Sequence, residues 1–536
     1  MARRPKKRVS TVTPVPAPVG GIDDTSSIAN MDPKFALAMV NWFPEPSALR
    51  VREGYREHVT GMVDSSGDPV IGKTLLSYVP GSGAPKLFCA TDVGIYDVTA
   101  SGTRVYADIV HPLTNGRVVW TQFSNIAGTW LIGCNGTDPA FLYDGANWID
   151  FSNSGSPTNP GEISNGLSPS GISYVHQHKN RIWFLEAGTM SAWYMPLNAV
   201  AGTVTEFPMG GIFKHGGELS TIFSWTMDAG YSVDDVFVLQ SSRGEIAGYG
   251  GTDPSNAGTW WLEARYYVGA PLGRRSVCPL NGDVLLLTEY GIVPISKIVG
   301  GQYQLGSSDS TASGRISSSL NAIVKQRSGD LSWEIANSPA TQSVFLSVPE
   351  AGGYMPFQYV MNSLTGAWTT YDLPAYTVYD HVGVVYFTDY DGNVQRYGET
   401  TVDAVLRDGT GGQPIIAAFQ QAYDYFGDPT TNKHYKLIKS IFESTSKPSY
   451  LTTISPDYEP GGLSLLGIPG ITNATASQWD TAKWDEAVWS PGLLAWQEWV
   501  GVVGTGYSAS LILKTRTTVD TRYAATHWVF ERGISL

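Results

Sequence analysis

The segment TWLIGCNGTDPAFLYDGANWIDFS, residues 129–152, decides the fold class. It contains an apolar run, a turn rich in Gly, Asp and Asn, and a second apolar run with aromatic residues. Two such runs joined by a turn of this composition are typical of a β-hairpin. The segment therefore predicts two antiparallel strands.

The same pattern recurs in six other places along the chain. These copies lie at 86–99, 181–197, 235–251, 283–296, 343–372 and 384–399. Seven hairpins at spacings of roughly 40–50 residues are typical of propeller blades. The sequence thus predicts an all-β protein with a β-propeller of six or seven blades. A pair of packed sandwiches is the alternative.

The segments around this repeat predict further parts of an all-β architecture. The predicted division is a basic, Pro-rich extended arm at 1–20, an anchoring segment at 21–69, the β-propeller at 70–410, and a C-terminal β-sandwich or barrel-like domain at 411–536. Asp32 and Pro33 favour a short helix within 31–40, and the anchoring segment continues into a closing or edge strand. Alternating apolar residues after 411 predict strands with one buried face. We expect protease cleavage within the arm and near 400–413.

Composition limits the class of protein. A chain of 536 residues with 12% aromatic and 15% charged residues favours two or more folded domains over disorder. No apolar run reaches the ~18 residues of a membrane helix, and no signal peptide is visible. Cys89, Cys134 and Cys278 are far apart in apolar runs, which predicts three reduced, buried thiols. We expect neither a metal nor a cofactor.

Charge is unevenly distributed. The first eight residues hold five positive charges and no acid, at Arg3, Arg4, Lys6, Lys7 and Arg8. The whole chain has a net charge of −13, so the remainder carries −18. Such a body does not resemble a sequence-specific DNA reader, which has a basic face. The basic end is either a disordered solubilising tail or an arm that docks on an acidic partner or contacts nucleic acid.

Two motifs resemble ligand-binding loops. GDPVIGKT at 67–74 has the spacing of a Walker A loop, but Pro69 interrupts it and a strand-like run follows Thr74, so we predict a hairpin loop. TDYDGNVQRYG at 388–398 resembles the start of a calcium loop. It lacks the distal Glu, because Thr400 stands there, so we predict a tight turn.

Three other stretches are given structural interpretations. YDGANW at 143–148 and NSLTGAW at 362–368 resemble blade turns with a Trp packed beneath them. His176 and His178 alternate along a predicted strand and should face the same side, but no third metal ligand is suggested. We interpret their strand as a surface strand. No catalytic arrangement is recognised.

Three blocks of sequence resemble a family of bacteriophage and prophage tail proteins. They are GGIDDTSSIANMDPKFALAMVNWFPEPSALRVREGYREHVTG at 20–61, the stretch 249–296 with GTDP, GAPLGRR and GDVLLLTEYGIVPIS, and FGDPTTNKHYKL at 426–437 together with WDTAKWDEAVW at 479–489. Together they span most of the chain. By architecture the chain is also similar to the nozzle, or tubular tail, proteins of short-tailed phages.

This resemblance implies a structural virion protein and no enzyme. It implies a hexameric ring below the portal and adaptor, next to tail fibre or needle proteins, through which genomic DNA leaves without sequence-specific binding. The location implied is the virion tail, assembled in the host cytoplasm. A carbohydrate-binding or carbohydrate-hydrolysing propeller tail protein is the alternative. A nucleotide-binding protein is a third hypothesis, which depends on GDPVIGKT alone.

Overall fold

The structure is a computed structural model that describes residues 10–228, 233–330, 332–350, 357–459, 463 and 493–535. The chain divides into two compact units. The first, called the sandwich unit, comprises residues 1–56, 358–372 and 397–536, and the second, called the propeller unit, comprises 57–357 and 373–396. Each unit is described separately.

The propeller unit contains seven consecutive groups of antiparallel strands, called blades 1 to 7; those of blades 6 and 7 belong to one larger sheet. Blades 1 and 2 consist of Thr74–Tyr78, Lys86–Thr91, Gly94–Asp97 and Ile109–Pro112, and of Val119–Asn125, Gly128–Cys134, Phe141–Tyr143 and Trp148–Asp150. Blades 3 and 4 consist of Ile172–His178, Arg181–Glu186, Ser191–Tyr194 and Thr205–Pro208, and of Leu219–Asp228, Val233–Ser241, Glu245–Gly251 and Trp260–Tyr267. Blade 5 consists of Val277–Leu280, Asp283–Thr288 and Gly291–Pro294. Blade 6 contains Glu334–Ser338 and Ser343–Val348, and blade 7 contains Thr377–His381, Val384–Thr388 and the beginning of Val394–Thr400, a strand that crosses the unit boundary after Arg396.

These sheets form a closed ring. The first strand of each blade is its innermost strand, and the innermost strands of blades 2, 3 and 4 lie side by side, as do those of blades 5, 6 and 7. Polar contacts join neighbouring blades: Ser338 Oγ donates to Asp380 Oδ2 at 2.7 Å, and Ser77 Oγ lies 2.8 Å from His381 Nδ1. The latter contact joins blade 7 to blade 1. The ring therefore has seven blades.

Apolar clusters fill the space between successive blades. The cluster between blades 1 and 2 includes Leu76, Phe88, Leu131 and Phe141, all buried. Comparable clusters lie between blades 2 and 3, 3 and 4, 4 and 5, and between blade 7 and blade 1. Each Å² of apolar surface buried contributes about 25 cal/mol to the free energy of folding, so this packing is the main stabilising term. The predicted β-propeller is confirmed.

The sandwich unit consists of two packed sheets. One contains Ser10–Pro16, Trp42–Pro44, Leu49–Val51, Thr431–Ser444, Leu494–Gly506 and Thr521–Ser535. The other contains Ala36–Val40, Phe357–Asn362, Trp368–Tyr371, Val402–Val405, Gly411–Gln421, Ser449–Pro456 and Ala509–Thr517. Aromatic rings join the sheets: the Phe419 and Tyr523 centroids are 5.1 Å apart, and those of Phe442 and Tyr450 are 4.7 Å apart. The predicted C-terminal β-sandwich is therefore present.

The remaining elements are short, except for a strand that crosses the unit boundary after Arg56. That strand is Gly54–Thr60, and the other strands are Gly102–Thr103, Ser152–Asn153, Glu162–Ser164 and Gly202–Thr203. The helices are Ile295–Val299 and Ser317–Arg327, with single 3-10 turns at Tyr106–Asp108, Pro169–Gly171, Ser308–Ser310 and Gly314–Ile316.

The predicted arm and helix differ from the structure. Ser10–Pro16 is a strand that pairs with Thr521–Ser535, so the extended segment at 1–20 is partly built into a sheet. Within 31–40 the chain forms the strand Ala36–Val40, which pairs antiparallel with Gly411–Gln421. Tertiary pairing supplies backbone hydrogen bonds that outweigh the local helical preference. Asp32 caps a turn instead, where its Oδ1 accepts from Lys34 N at 2.9 Å.

The predicted domain boundaries also differ from the units. Residues 358–372 belong to the sandwich unit, so the predicted hairpin at 343–372 is divided between the two units. The segment 400–413 contains Val402–Val405 and the start of Gly411–Gln421, which pair with each other. Strand pairing in this segment leaves only a short turn open to a protease. A linear pattern cannot show these assignments, because the sandwich unit is assembled from three separate parts of the chain.

The predicted turns are confirmed. Asp389 Oδ1 accepts from the backbone N–H groups of Asp391 and Asn393, at 3.0 and 2.9 Å. Asp144 Oδ1 does the same for Ala146 and Asn147, and Trp148 packs beneath that turn against Tyr143 with ring centroids 4.7 Å apart. The other Trp turn, at 362–368, lies in the sandwich unit, and so is not the blade turn that was predicted.

Candidate functional site

The segment NWFPEPSALRVRE, residues 41–53, forms the candidate site, because it carries the first block of the family resemblance. The predicted docking arm, Arg3, Arg4, Lys6, Lys7 and Arg8, lies outside the described residues. Asn41 is fully buried with a left-handed backbone (φ 59°), a conformation that Asn tolerates better than most residues. Its Nδ2 donates to Ile416 O at 2.7 Å. Asn41 thus joins the motif segment to a distant strand.

Trp42 is the apolar anchor of the segment. Its side chain is completely buried, and its ring centroid lies 6.1 Å from that of Phe419 and 6.3 Å from that of Tyr523. Both contacts are edge-on, the geometry that aromatic quadrupoles favour. Trp42 therefore anchors the segment, and its ring occupies the core between the two sheets of the sandwich unit.

Arg52 is the charged centre of the segment. Its side chain is 2% exposed. Its two terminal nitrogens each donate to one oxygen of Asp403 at 2.6 Å, which is a bidentate pair. Nη2 also donates to Asp372 Oδ1 at 2.9 Å, and Nε donates to Asn41 Oδ1 at 2.8 Å. The guanidinium therefore joins three separate parts of the chain through charge-assisted hydrogen bonds.

Burial and pairing act in opposite directions on these groups. Burial lowers the pKa of Arg52, but the hydrogen bonds and charge of Asp403, with the charge of Asp372, raise it above its ordinary value. Burial raises the pKa of Asp403, and Arg52 opposes this effect. Burial also raises the pKa of Tyr397 to about 12 and holds that of Tyr371 well above its ordinary value. Both phenols stay protonated at neutral pH and cannot act as bases there.

A cleft of about 800 Å³ lies beside this network within the sandwich unit. Its wall contains both acidic and basic side chains, which include Glu45, Arg50, Arg52, Glu53, Glu399 and Arg522. Arg50 contacts Glu45 at 2.9 Å and Glu53 at 3.0 Å, and Arg522 lies 3.6 Å from Glu45. These ion pairs hold the cleft wall together. They make the cleft a polar surface of neutralised charges.

A second cavity, of about 530 Å³, lies in the propeller unit and is called the channel. The innermost strand of every blade contributes to its wall, with Leu75, Trp120, Tyr174, Phe223, Cys278, Ile335 and Tyr379 among the lining residues. His176 and Ser224 also line it. Its position at the centre of the ring follows from the blade arrangement.

The histidine pair lies at this channel. His176 Nε2 and His178 Nδ1 lie 2.9 and 2.8 Å from Ser224 Oγ, so the two rings do face the same side. The predicted surface strand is wrong, because Ile172–His178 is the innermost strand of blade 3. Burial, with a smaller effect of His178, lowers the pKa of His176 to about 3. Such a weakly basic imidazole is poorly suited to activate a serine at neutral pH.

The other predicted features are distributed as follows. Thr74–Tyr78 is a strand, so no helix follows GDPVIGKT, and the predicted hairpin loop is confirmed; Lys73 pairs with Asp92. Cys89, Cys134 and Cys278 are free and buried, as predicted.

Among the described residues, no cluster of His, Cys, Asp or Glu is arranged to hold a metal ion. No helix in the described ranges is long and apolar enough to cross a membrane.

Sequence reasoning missed the partners of Arg52. Asp403 lies 351 positions away and Asp372 lies 320 positions away. The signal available in the sequence was the high frequency of charges in RVREGYRE, which suited an exposed edge as well as a buried ion cluster. Only the pairing of distant strands distinguishes these two outcomes.

Comparison with known proteins adds fold neighbours but no family. No family model matches the chain, and no curated protein matches it. Similar solved structures include the Cps50 (Swd1) β-propeller domain of Myceliophteria thermophila, at 10% identity and TM-score 0.32, covering 67% of this chain and 100% of that one. YCF48 from Cyanidioschyzon merolae has 9% identity and TM-score 0.22, covering 58% and 79%. A Bacillus subtilis arabinoxylan arabinofuranohydrolase has 9% identity and TM-score 0.24, covering 91% and 94%. Similarity at this level carries no functional argument.

Proposed function

We propose that this chain is a structural virion protein, a tail nozzle or tail-tube subunit that carries out no chemical reaction. The observation that supports the proposal is the structural role of the motif that resembles phage tail proteins. Asn41, Trp42 and Arg52 are all buried and form the framework of the sandwich unit. The residues that create the resemblance are thus ones that a structural role requires.

The third block of the resemblance supports the same interpretation. Lys433, in FGDPTTNKHYKL, is completely buried. Its ammonium group donates to three backbone carbonyls, Asp428 O at 2.6 Å, Tyr507 O at 2.8 Å and Thr431 O at 3.1 Å. Burial lowers its pKa. A lysine used in this way closes a turn of the fold and leaves no donor for a substrate.

The second block has a similar use in the propeller unit. Asp253, in GTDP, pairs with Arg181 at 3.2 Å, and Lys179 Nζ donates to Gly251 O at 2.7 Å. These contacts fix the turn between the last two strands of blade 4 against blade 3. In both units the motif residues serve the packing of the fold.

In the proposed role, six copies form a ring below the portal and adaptor. Genomic DNA passes through the lumen of the ring without sequence-specific binding, and tail fibre or needle proteins adjoin it. The net charge of −18 after the first eight residues suits a conduit, because an acidic wall repels phosphate and does not retain DNA in transit. The protein would be assembled in the host cytoplasm and located in the virion tail.

The test is the oligomeric state and shape of the purified full-length chain. Native mass spectrometry and negative-stain microscopy should give a ring of six copies, alone or on tailless heads that carry the portal and adaptor. A chain that stays monomeric under both conditions and cleaves aryl glycosides, or binds a glycan array, would replace the proposal with a carbohydrate-active propeller. Labelling of a tagged chain at the virion tail checks its location.

A further inference from the structure

Three arginines meet at one end of the channel in the propeller unit. Arg117 precedes the innermost strand of blade 2, and Arg274 and Arg275 precede that of blade 5. Arg275 also contacts Thr74 and Thr377, which begin the innermost strands of blades 1 and 7, through Nη1 at 3.3 and 3.5 Å. Because the innermost strands begin at the same end of the ring, the chain brings these cations together there.

The acids near this end do not neutralise all three arginines. Glu334 lies 3.2 Å from Arg275, and Asp330 lies 3.7 Å from Arg117. Arg274 has no acidic partner among the described residues, and its Nη1 donates to Asn135 O at 3.0 Å. Asp138, the acid next to that turn, accepts its hydrogen bonds from Thr114, Asn115 and Asn135. Arg274 therefore lines this end of the channel without a direct ion pair.

Two arginine N–H groups at this end also lack partners. Arg275 Nη2 and Arg117 Nε are shielded from solvent and have no hydrogen-bond partner among the described residues. An unsatisfied buried donor on a charged group destabilises the fold. Guanidinium groups form their strongest hydrogen bonds with the oxygens of phosphate and carboxylate groups. A cavity lined by three guanidinium groups thus favours an anionic ligand.

A small cavity of about 50 Å³ lies between the three arginines. Asn115 and Asn135 complete its polar wall, and Val119 and the two neighbouring arginines, Arg274 and Arg275, line both this cavity and the channel. A water molecule occupies about 30 Å³ in the liquid, so the cavity has room for a larger polar group. These shared residues place the cavity next to the channel.

We propose that this end of the channel binds a small oxyanion, a phosphate-type or carboxylate group, between Arg117, Arg274 and Arg275. The site would be occupied by an inorganic anion or by the anionic group of a larger ligand that enters the channel. Arg274 supplies a guanidinium that has no direct ion pair, and Arg117 and Arg275 complete the basic wall of the cavity. This site does not depend on the proposed tail role.

The experiment measures binding of defined anions to the purified full-length chain. Isothermal titration and thermal unfolding are followed with sodium phosphate, sulfate and acetate against sodium chloride of equal ionic strength. The wild type should bind phosphate or sulfate in a saturable manner, with an unfolding temperature that rises above the chloride control. Saturable binding of acetate as well would show that carboxylates are also accepted, whereas phosphate and sulfate alone would define a tetrahedral site.

Matched variants locate the site. Arg274→Gln should weaken anion binding at least tenfold, whereas Arg243→Gln, a change at an exposed arginine of the same unit, should leave it unchanged. Should Arg274→Gln not fold, Arg274→Lys keeps the charge but removes the planar fork, and is expected to weaken binding as well. No stabilisation beyond the chloride control, or equal binding by the variants at 274 and 243, would overturn the proposal.

Discussion

Replacement of Arg52 tests whether the motif segment holds the sandwich unit together. Arg52→Ala removes a guanidinium that is 2% exposed, while leaving Asp403, whose side chain is 17% exposed, without its bidentate partner. Removing one member of a buried ion pair typically costs about 3–5 kcal/mol, because the remaining charge stays desolvated. We expect a loss of that size for the sandwich unit.

Two further variants separate the buried charge from general damage. Arg50→Ala removes an arginine of the same segment that is 21% exposed and pairs with Glu45 and Glu53, so a loss of about 1 kcal/mol or less is expected. The double variant Arg52→Met with Asp403→Leu removes both charges. It should be more stable than Arg52→Ala, since an apolar replacement of a buried ion pair is often neutral. Full recovery is not expected, because Asn41 Oδ1 and the half-exposed Asp372 lose their hydrogen bonds from Arg52.

The assay must report on one unit, because two units need not unfold together. Native-state hydrogen exchange of Gly411–Gln421 reports on the sandwich unit, and exchange of Val119–Asn125 gives an internal reference in the propeller unit. A loss of 3–5 kcal/mol corresponds to exchange roughly 150-fold to 5000-fold faster at the first strand. An increase below tenfold for Arg52→Ala, or equal effects at positions 50 and 52, would refute the framework role of Arg52.

Four other predictions can be measured directly. Because the pKa of His176 is lowered to about 3, the unfolded chain binds a proton below pH 6.5 that the folded chain does not, so stability is complete above pH 6.5 and falls as the pH drops toward 3. His176→Gln should remove roughly 2 kcal/mol of this loss at pH 5 in denaturation curves, and an unchanged pH dependence would contradict it. Lys73→Ala should change the free energy of unfolding by less than ~1 kcal/mol, as checked by urea unfolding. Neither the wild type nor this variant should bind ATP in a nucleotide titration. Deletion of residues 1–9 should leave the unfolding curve unchanged, whereas deletion of 1–18 should destabilise the sandwich unit by removing the strand Ser10–Pro16. If the basic end docks on a partner, only the full-length chain should bind tailless heads with a strong salt dependence, and equal salt slopes would show that it has no docking role.

Local features of the sequence determined the fold class and the turns. The repeated pairs of apolar runs predicted the propeller hairpins, because strand alternation and turn chemistry depend on residues a few positions apart. For the same reason the segments that contain Asp389 and Asp144 were correctly predicted to be turns. In each turn the Asp carboxylate accepts hydrogen bonds from backbone N–H groups. The apolar surroundings of the three cysteines likewise predicted their burial.

Only the tertiary structure decided which distant segments meet. Residues 36–40 form a strand instead of a helix because Gly411–Gln421 supplies their hydrogen-bond partners. Arg52 is buried because Asp372 and Asp403, more than 300 positions away, neutralise it there. His176 faces a channel that exists only when seven blades close into a ring. These contacts depend on the pairing of distant strands. The free-energy cost of burying a charged or polar side chain depends on the partners that this pairing brings close to it.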